Sequence, residues 1–466
     1  MQGVIEIPVW LAVIGGIAAA VALLDRVLAP SFRWYFRRRF ERAVERLNRR
    51  LSLQIKPFVL MRRSFLIARL THDPEVMRAV EQHVAETGMP RDIAFRQVEE
   101  YAREITPSFS AMLYFGVGAR VSRWITNWLY EVRLDTLDRQ ALAWIDPEAA
   151  VIFVINHRSN VDYLLVTHLA SQSATISYAV GEWARIWPLS WVIRGMGAYF
   201  IRRRERDALY RAVLRRYVQM AAEGGVTQAI FPEGGLSRDG ALGPPKLGLL
   251  SYVAEGFDAE SQRDVIFAPV GVNYDRVLED RLLLRASGPH GEGKFGVGIW
   301  TATRFLSLYL ARRLTGRARR FGHAGVSFGP PLSLKAFMAA PGADVAKLGA
   351  ELMRRIGAAT PAPPVALLAA VLQGAQAPLS RAELMGGATD LAERLHERGV
   401  HIHIPRENFA AAHEYALQML VQRKLVREAA SGLEIAPGES ALIAYYARSL
   451  GHLLPQQTGA GGPAGR

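Results

Sequence analysis

The 466-residue sequence contains no cysteine. That excludes disulfides, zinc–thiolate centres and thiol nucleophiles, and with them any covalent acyl-cysteine intermediate. Lysine is nearly as scarce: of 57 basic residues only six are lysines, at positions 56, 246, 294, 335, 347 and 424. The cationic character therefore rests on arginine, whose planar fork binds phosphate and carboxylate oxygens in pairs. Acidic residues number 43, leaving a net charge of +14. Such a balance calls for an anionic partner: a phosphorylated substrate, an acidic membrane surface or nucleic acid. Half of the residues are apolar and 21% are charged, a globular composition that excludes wholesale disorder. At roughly 150 residues per domain the length suits about three domains, or two with one of them large.

One uncharged apolar run, PVWLAVIGGIAAAVALL at 8–24, lies between Glu6 and Asp25. As a helix rising about 1.5 Å per residue it would reach about 25 Å, the short end of what crosses a bilayer core. No clear small-residue cleavage site follows it, so a retained anchor is expected rather than a removed signal peptide. Nine arginines and two glutamates fill 26–50, interleaved with Phe32, Trp34, Tyr35, Phe36 and Phe40. Arginines with aromatics at headgroup level fit a cytoplasmic juxtamembrane segment. Residues 1–50 thus read as a membrane anchor and 51–134 as a helical region. Within the latter a helical pair spans 74–105, entered at Asp73–Pro74 and broken near Gly88–Pro90, and an amphipathic helix spans 111–133.

Beyond it, short β-branched runs alternate with helical stretches: VIFVI at 151–155, TQAIF at 227–231 and VIFAPVGV at 265–272. This alternation predicts an α/β sheet domain over 135–345. Pro269 falls inside the third run, which predicts an edge or strand-end position for it. TPAPP at 360–364 reads as a linker, 365–455 as a small, mostly helical C-terminal domain, and 456–466 as a disordered tail.

Several motif-like strings fail on context. GVSFG at 325–329 has nucleophile-elbow spacing, but Pro330 and Pro331 stand where a helix must begin, so Ser327 is expected to be structural. GEGKFG at 291–296 neither follows a strand nor opens a helix. His401 and His403 have no further ligand nearby, and no metal site is expected.

One constellation survives. VIFVI runs into Asn156-His157-Arg158-Ser159-Asn160-Val161-Asp162 and then the helix-like YLLVTHLA. In a straight helix, residues five apart diverge by about 140°. With Ser159 or Asn160 as a cap, however, Asp162 enters the first turn and the loop carrying His157 can fold back onto it. The aspartate then fixes the imidazole tautomer, and the other ring nitrogen becomes a general base. Further along come GAYFIRR at 197–203 with Arg202 and Arg203, FPEGGLSR at 231–238 with Glu233, Gly234, Ser237 and Arg238, and then Lys246. Arginines, a glycine turn and a lysine after β-like runs describe a phosphate pocket at strand ends.

In these blocks and their order the chain resembles the H-x4-D glycerolipid acyltransferases, and most closely the bacterial membrane-bound glycerol-3-phosphate 1-O-acyltransferases. HRSNVD at 157–162, GAYFIRR, FPEGGLSR and the block around Pro269 carry the resemblance, with Leu236 standing where that family often has arginine. It also extends to the helical segment at 74–105 and to AYYARSLGHLL at 444–454. It implies an acyltransferase-type mixed sheet with flanking helices, a membrane-associated helical region before it, and attachment to the cytoplasmic face of a membrane, the bacterial inner membrane. The implied reaction acylates the sn-1 hydroxyl of glycerol 3-phosphate as a first step of phospholipid synthesis. The donor is an acyl thioester of acyl carrier protein or coenzyme A, a co-substrate, with no other cofactor.

His157 and Asp162 would be catalytic. Arg202, Arg203 and Arg238, with Arg158 and Lys246 behind them, would hold the phosphate; Glu233, Gly234 and Ser237 would line the acceptor. Anionic lipids are expected partners, the arginine-rich stretch Trp300–Arg313 being a further interfacial helix; nucleic acid is not expected, although 365–455 has a faint winged-helix pattern. Rival readings are acylation of dihydroxyacetone phosphate or of 1-acylglycerol 3-phosphate, and a non-catalytic membrane-binding role.

Overall fold

The run AVIFVI is apolar at every position because it forms a strand covered on both faces, β2 (Ala150–Ile155). Its side chains alternate: Val151, Phe153 and Ile155 enter one core, Ala150, Ile152 and Val154 the other. In the computed structural model the described residues are 56–134, 145–146, 148–170, 175–181, 185, 189–202, 207–258, 260, 263–287, 320–402, 404 and 408–454. The apolar run at 8–24, the arginine–aromatic segment, Arg203, GEGKFG, Trp300–Arg313, His403 and the terminal tail lie outside them.

Around β2 the chain adds β1 (Glu131–Leu134), β3 (Ser177–Gly181), β4 (Tyr199–Ile201), β5 (Gln228–Ile230), β6 (Val265–Tyr274), β7 (His323–Phe328) and β8 (Leu332–Ser333). Together the described strands form one mixed sheet in the order β1-β7-β6-β2-β5-β3-β4, with β8 pairing along β6. Strands β6, β2, β5, β3 and β4 are parallel; β7 and β8 run antiparallel to β6, and β1 is parallel to β7. Ser327 is buried in β7, and the chain after it runs through Pro330 and Pro331 into β8 rather than directly into a helix.

One face of the sheet packs against the helices Arg63–Thr71, Pro74–Thr87, Arg91–Ile105, Ala208–Glu223, Gly248–Glu255 and Val345–Ala359. The helical pair starts and breaks where its sequence requires. The Asp73 carboxylate accepts from the Glu75 N–H at 3.0 Å, and Gly88 ends the first helix at φ +70°. The other face carries Ala119–Leu129, Asp162–Ala170, Pro364–Gly374, Arg381–Glu397, Phe409–Gln422 and Ser440–Arg448. The last four of these helices therefore share a core with the sheet. A hairpin of β9 (Val426–Ala429) and β10 (Gly432–Ile435) lies between Phe409–Gln422 and Ser440–Arg448.

Three sequence expectations change. Pro269 is not at an edge: it lies in the middle of β6, beside Val154 of β2. On its other side the neighbour switches from β7, ending opposite Val270, to β8, starting opposite Phe267. Gly329 N–H donates to the Pro269 carbonyl at 2.9 Å across that gap, so the missing proline N–H falls where the ladder is interrupted anyway. TPAPP is not an exposed linker but buried: Asn273 Nδ2 donates to the Pro361 carbonyl at 3.0 Å and Val365 N–H to Asp275 at 3.0 Å. The amphipathic segment at 111–133 is shorter than the sequence suggests. A π-helical turn at Met112–Gly118 leads into the α-helix Ala119–Leu129, and Arg133 belongs to β1.

Candidate active site

Because β6, β2, β5, β3 and β4 are parallel, their carboxyl ends share one edge of the sheet, the edge at which open α/β sheets bind ligands. β2 runs out there into Asn156–Asp162, and β5 into Phe231–Arg238. Asn156 clips the first of these loops to β6: its Nδ2 donates to the Val272 carbonyl at 2.9 Å and its Oδ1 accepts the Val272 N–H at 2.7 Å.

The loop folds back as its sequence requires. Asp162 opens the helix Asp162–Ala170, and its Oδ2 receives His157 Nδ1 at 2.9 Å, Arg158 N–H at 2.7 Å and Ser159 N–H at 3.0 Å. The Tyr274 hydroxyl donates to Oδ1. Burial, followed by the neighbouring Asp162 charge, holds the Tyr274 phenol well above its ordinary value, so it stays protonated and remains a donor. Facing a carboxylate, Nδ1 carries the imidazole proton and Nε2 keeps a lone pair. The ring is only 2% exposed and rests 4.3 Å from the Phe231 ring and 5.4 Å from Tyr163, centroid to centroid.

The second loop supports the first. Glu233 Oε1 accepts the His157 N–H at 2.8 Å and Oε2 the Gly243 N–H at 3.0 Å; burial pushes this carboxyl up, and those two donors oppose the shift. Ser237 N–H donates to the His157 carbonyl at 2.9 Å, while its hydroxyl donates to the Ala241 carbonyl at 2.7 Å. Gly234 adopts φ +66°, and a Cβ there would stand 2.7 Å from the Lys246 side chain. Lys246 N–H closes the turn onto the Pro232 carbonyl at 2.7 Å. The buried Arg158 guanidinium lies over the Tyr445 ring at 5.6 Å and donates through Nη1 to the Gly240 carbonyl. Its Nε and Nη2 have no hydrogen-bond partner among the described residues.

His157, Arg158, Asp162, Glu233, Gly234, Ser237 and Lys246 are thus brought together; other expected residues are not. Arg202 follows β4, three strands from β2, or about 14 Å at about 4.8 Å per strand. It is spent on Glu104, with Nε to Oε1 at 3.0 Å and Nη2 to Oε2 at 2.8 Å, between the Tyr101 and Tyr210 rings. Arg185 reaches the same carboxylate at 2.7 Å. Arg238 is exposed, its Nη1 3.4 Å from the Ala286 carbonyl. Pro269 lies within the sheet behind the loop. Sequence reasoning missed Asn156, Tyr274 and Glu279, which accepts from the Ser159 hydroxyl at 2.8 Å and the Asn160 N–H at 3.2 Å. Tyr274 had a signal: period two along β6 carries Val270, Val272 and Tyr274 to the face covered by the Asp162 helix.

Residues 136–273 match the family model described as Acyltransferase, and residues 308–455 the one described as glycerol-3-phosphate acyltransferase C-terminal region. The glycerol-3-phosphate acyltransferase of Pseudoalteromonas atlantica is 28% identical over 300 residues, 62% of this chain and 35% of that protein. That of Pseudomonas putida is 28% identical over 342 residues, 68% of this chain and 39% of that protein. The chain therefore spans little more than a third of the length of these curated relatives. A solved 1-acyl-sn-glycerophosphate acyltransferase of Thermotoga maritima is 19% identical, with a TM-score of 0.32 over 56% of this chain and 80% of that one, a likeness too loose to bear on the site. The His–Asp loop lies inside the first matched segment and the helices that pack behind it inside the second, so both segments carry the likeness to the glycerol-3-phosphate acyltransferases.

Proposed function

We propose that the protein transfers a fatty acyl group from an acyl thioester, of acyl carrier protein or coenzyme A, to the sn-1 hydroxyl of glycerol 3-phosphate. The observation that carries this reading is the buried His157–Asp162 pair, with Nδ1 committed to the carboxylate and Nε2 left as the base. Nε2 takes the hydroxyl proton as the oxygen attacks the thioester carbonyl. The tetrahedral intermediate then collapses, the C–S bond breaks, and the proton passes to the departing thiolate. Asp162 stabilises the imidazolium in between. Backbone N–H groups of the turn after Glu233 would serve the developing oxyanion.

Lys246 and the buried Arg158, both in the gathered site, are the first candidates for the phosphate; the exposed Arg238, next in sequence to the Ser237 that holds the His157 carbonyl, is within reach only if its side chain swings away from Ala286, and Arg203 is kept from the sequence reading. The test offers purified protein glycerol 3-phosphate, dihydroxyacetone phosphate and 1-acylglycerol 3-phosphate with each donor. Glycerol 3-phosphate is expected to turn over fastest; preference for another acceptor would move the protein to that reaction, and no turnover with any would leave a binding protein.

The arginines can be separated by what they touch. Arg238→Ala is expected to raise the KM for glycerol 3-phosphate more than that for the donor, since a charge-assisted hydrogen bond is worth about 1.5–3 kcal/mol, or roughly 10- to 150-fold. Arg202→Ala leaves the Glu104 carboxylate with Arg185 as its one cation among the described residues, so it is expected to lower the melting temperature instead. Kinetics with each substrate varied in turn, alongside melting curves, check both.

Attachment to the cytoplasmic face of a bacterial inner membrane belongs to the same proposal. Among the described residues no single helix is long and apolar enough to cross a membrane. An exposed apolar face supports interfacial attachment: Met112 is 80% exposed, Trp124 59% and Trp191 63%, with Val117 and Val121 beside them. Arg120 and Arg123 share the segment, and no acidic residue occurs from 106 to 130, a composition suited to an anionic lipid surface. Replacing Trp124 and Trp191 together by serine is expected to lower the fraction of protein that stays with anionic vesicles in high salt; an unchanged fraction would remove this face from the attachment.

A further inference from the structure

We propose that the C-terminal helix Ser440–Arg448, together with Arg423, positions the His157–Asp162 loop, so that Tyr445, Tyr446, Arg423, Asp280 and Glu279 are positioning residues of the active site. The inference rests on the functional reading above but concerns groups to which that chemistry gives no part.

Successive helical residues point about 100° apart, so Tyr445 and Tyr446, both fully buried, address different parts of the molecule. The Tyr446 hydroxyl donates to Asp280 Oδ2 and accepts from Arg423 Nη1 at 3.0 Å and from the Val277 N–H at 3.3 Å. Arg423 Nη2 donates to the same Asp280 oxygen. The residue before Asp280 is Glu279, whose two oxygens hold the Ser159 hydroxyl and the Asn160 N–H. Arg158 and Ser159 in turn point their N–H groups at the Asp162 oxygen that orients His157. A series of buried and half-buried hydrogen bonds, joined through the Glu279–Asp280 backbone, therefore runs from Arg423 and Tyr446 to the imidazole.

Tyr445 reaches the same loop from another direction. Its ring lies beneath the Arg158 guanidinium, and its backbone carbonyl is so close to Gly240 that a Cβ there would lie 1.8 Å away. Gly240 accepts from Arg158 Nη1, so the helix touches both the loop and the turn that braces it. A buried ion pair such as Arg423–Asp280 adds little net stability over apolar packing, and its best-attested benefit is to fix one geometry. Here the geometry it fixes is that of the Glu279 turn.

The test uses the full chain in detergent with Tyr446→Phe, Glu279→Gln, Arg423→Met and Arg423→Lys, and the double variant of the first two. Turnover, both Michaelis constants, melting temperature and the His157 Nδ1–H proton resonance, assigned by its loss in His157→Ala, are measured on each. Tyr446→Phe and Glu279→Gln are each expected to lower kcat about tenfold, short of the about 10²-fold attached to a 1 Å misplacement, with both Michaelis constants within twofold. The Nδ1–H resonance is expected to shift or broaden in both, and Arg423→Lys to recover part of what Arg423→Met loses. The double variant is expected to lose little more than either single, because both interrupt one series.

An unchanged kcat per folded enzyme together with an unchanged resonance, whatever the melting temperature, overturns the proposal, as do single losses that multiply in the double variant. Arg423→Lys and Glu279→Gln decide the matter where Tyr446→Phe fails to fold. If the wild type turns over no acceptor, the functional reading fails, and the resonance alone still decides whether the helix positions the imidazole.

Discussion

His157→Ala is expected to lower turnover about 10²–10⁴-fold, the range for loss of a general base, with a melting temperature close to that of the wild type. Asp162 divides more finely, because its two oxygens have unequal partners. Among the described residues Oδ2 receives three N–H donors, of which two are backbone groups that cannot turn away, whereas Oδ1 receives only the rotatable Tyr274 hydroxyl. In Asp162→Asn the amide oxygen must therefore take the Oδ2 position, and its NH₂ faces Tyr274, which can accept. The Nδ1–H tautomer survives and only the charge opposite the imidazolium is lost. Asp162→Asn is expected to keep the wild-type KM values and fold and to lose about 10²-fold in kcat, well short of the about 10⁴-fold seen where such a change flips the tautomer. Asp162→Ala leaves those donors buried without an acceptor, at about 1–3 kcal/mol for each, and is expected to lose stability as well as activity. Steady-state kinetics and melting curves on the three variants separate base, charge and scaffold. Near-normal turnover in folded His157→Ala would remove His157 from the chemistry.

The strands legible in the sequence were those buried on both faces, β2, β5 and β6, since only these read as apolar runs. β3 and β7 carry glycine, serine or histidine, and β4 is only three residues long, so none gave such a signal. Pro269 was misplaced because the rule for proline in strands concerns the ladder, and the ladder beside it is broken by a change of partner that no local pattern announces. TPAPP looked like a linker for a similar reason: its burial depends on Asn273 and Asp275, nearly 90 residues upstream. The His–Asp pair was legible because both members and the fold-back of the loop lie within six residues. Arg202 was not, because its partner Glu104 is 98 positions away, and an arginine awaiting phosphate and one already paired look alike in sequence. Sequence distance likewise hid the part played by Glu279, 120 positions from Ser159, and by the C-terminal tyrosines, farther still.

Gly240→Ala is expected to be among the most destabilising single changes in the protein, and a second glycine shows why. Gly240 sits at φ +89° and Gly399 at φ +79°, so alanine at either takes on the left-handed backbone strain of about 1–2 kcal/mol. Around Gly399 no described residue lies within 4 Å of the added methyl, whereas at Gly240 it would stand 1.8 Å from the Tyr445 carbonyl oxygen and 2.7 Å from its carbon. These are backbone atoms of the helix Ser440–Arg448 and cannot rotate aside as a side-chain end does. Relief requires the helix or the turn to move, and overpacking of that kind adds about 1–3 kcal/mol. Gly399→Ala is therefore expected to lower the melting temperature slightly and to leave turnover intact. Gly240→Ala is expected to lower it by several degrees more, and to reduce turnover in the folded fraction because the carbonyl that receives Arg158 Nη1 moves with the turn. Equal melting temperatures for the two variants would mean that the C-terminal helix stands farther from the catalytic loop than this packing requires. A Gly240→Ala protein that melts early yet keeps full turnover per folded molecule would separate the stability of that contact from any influence on the site.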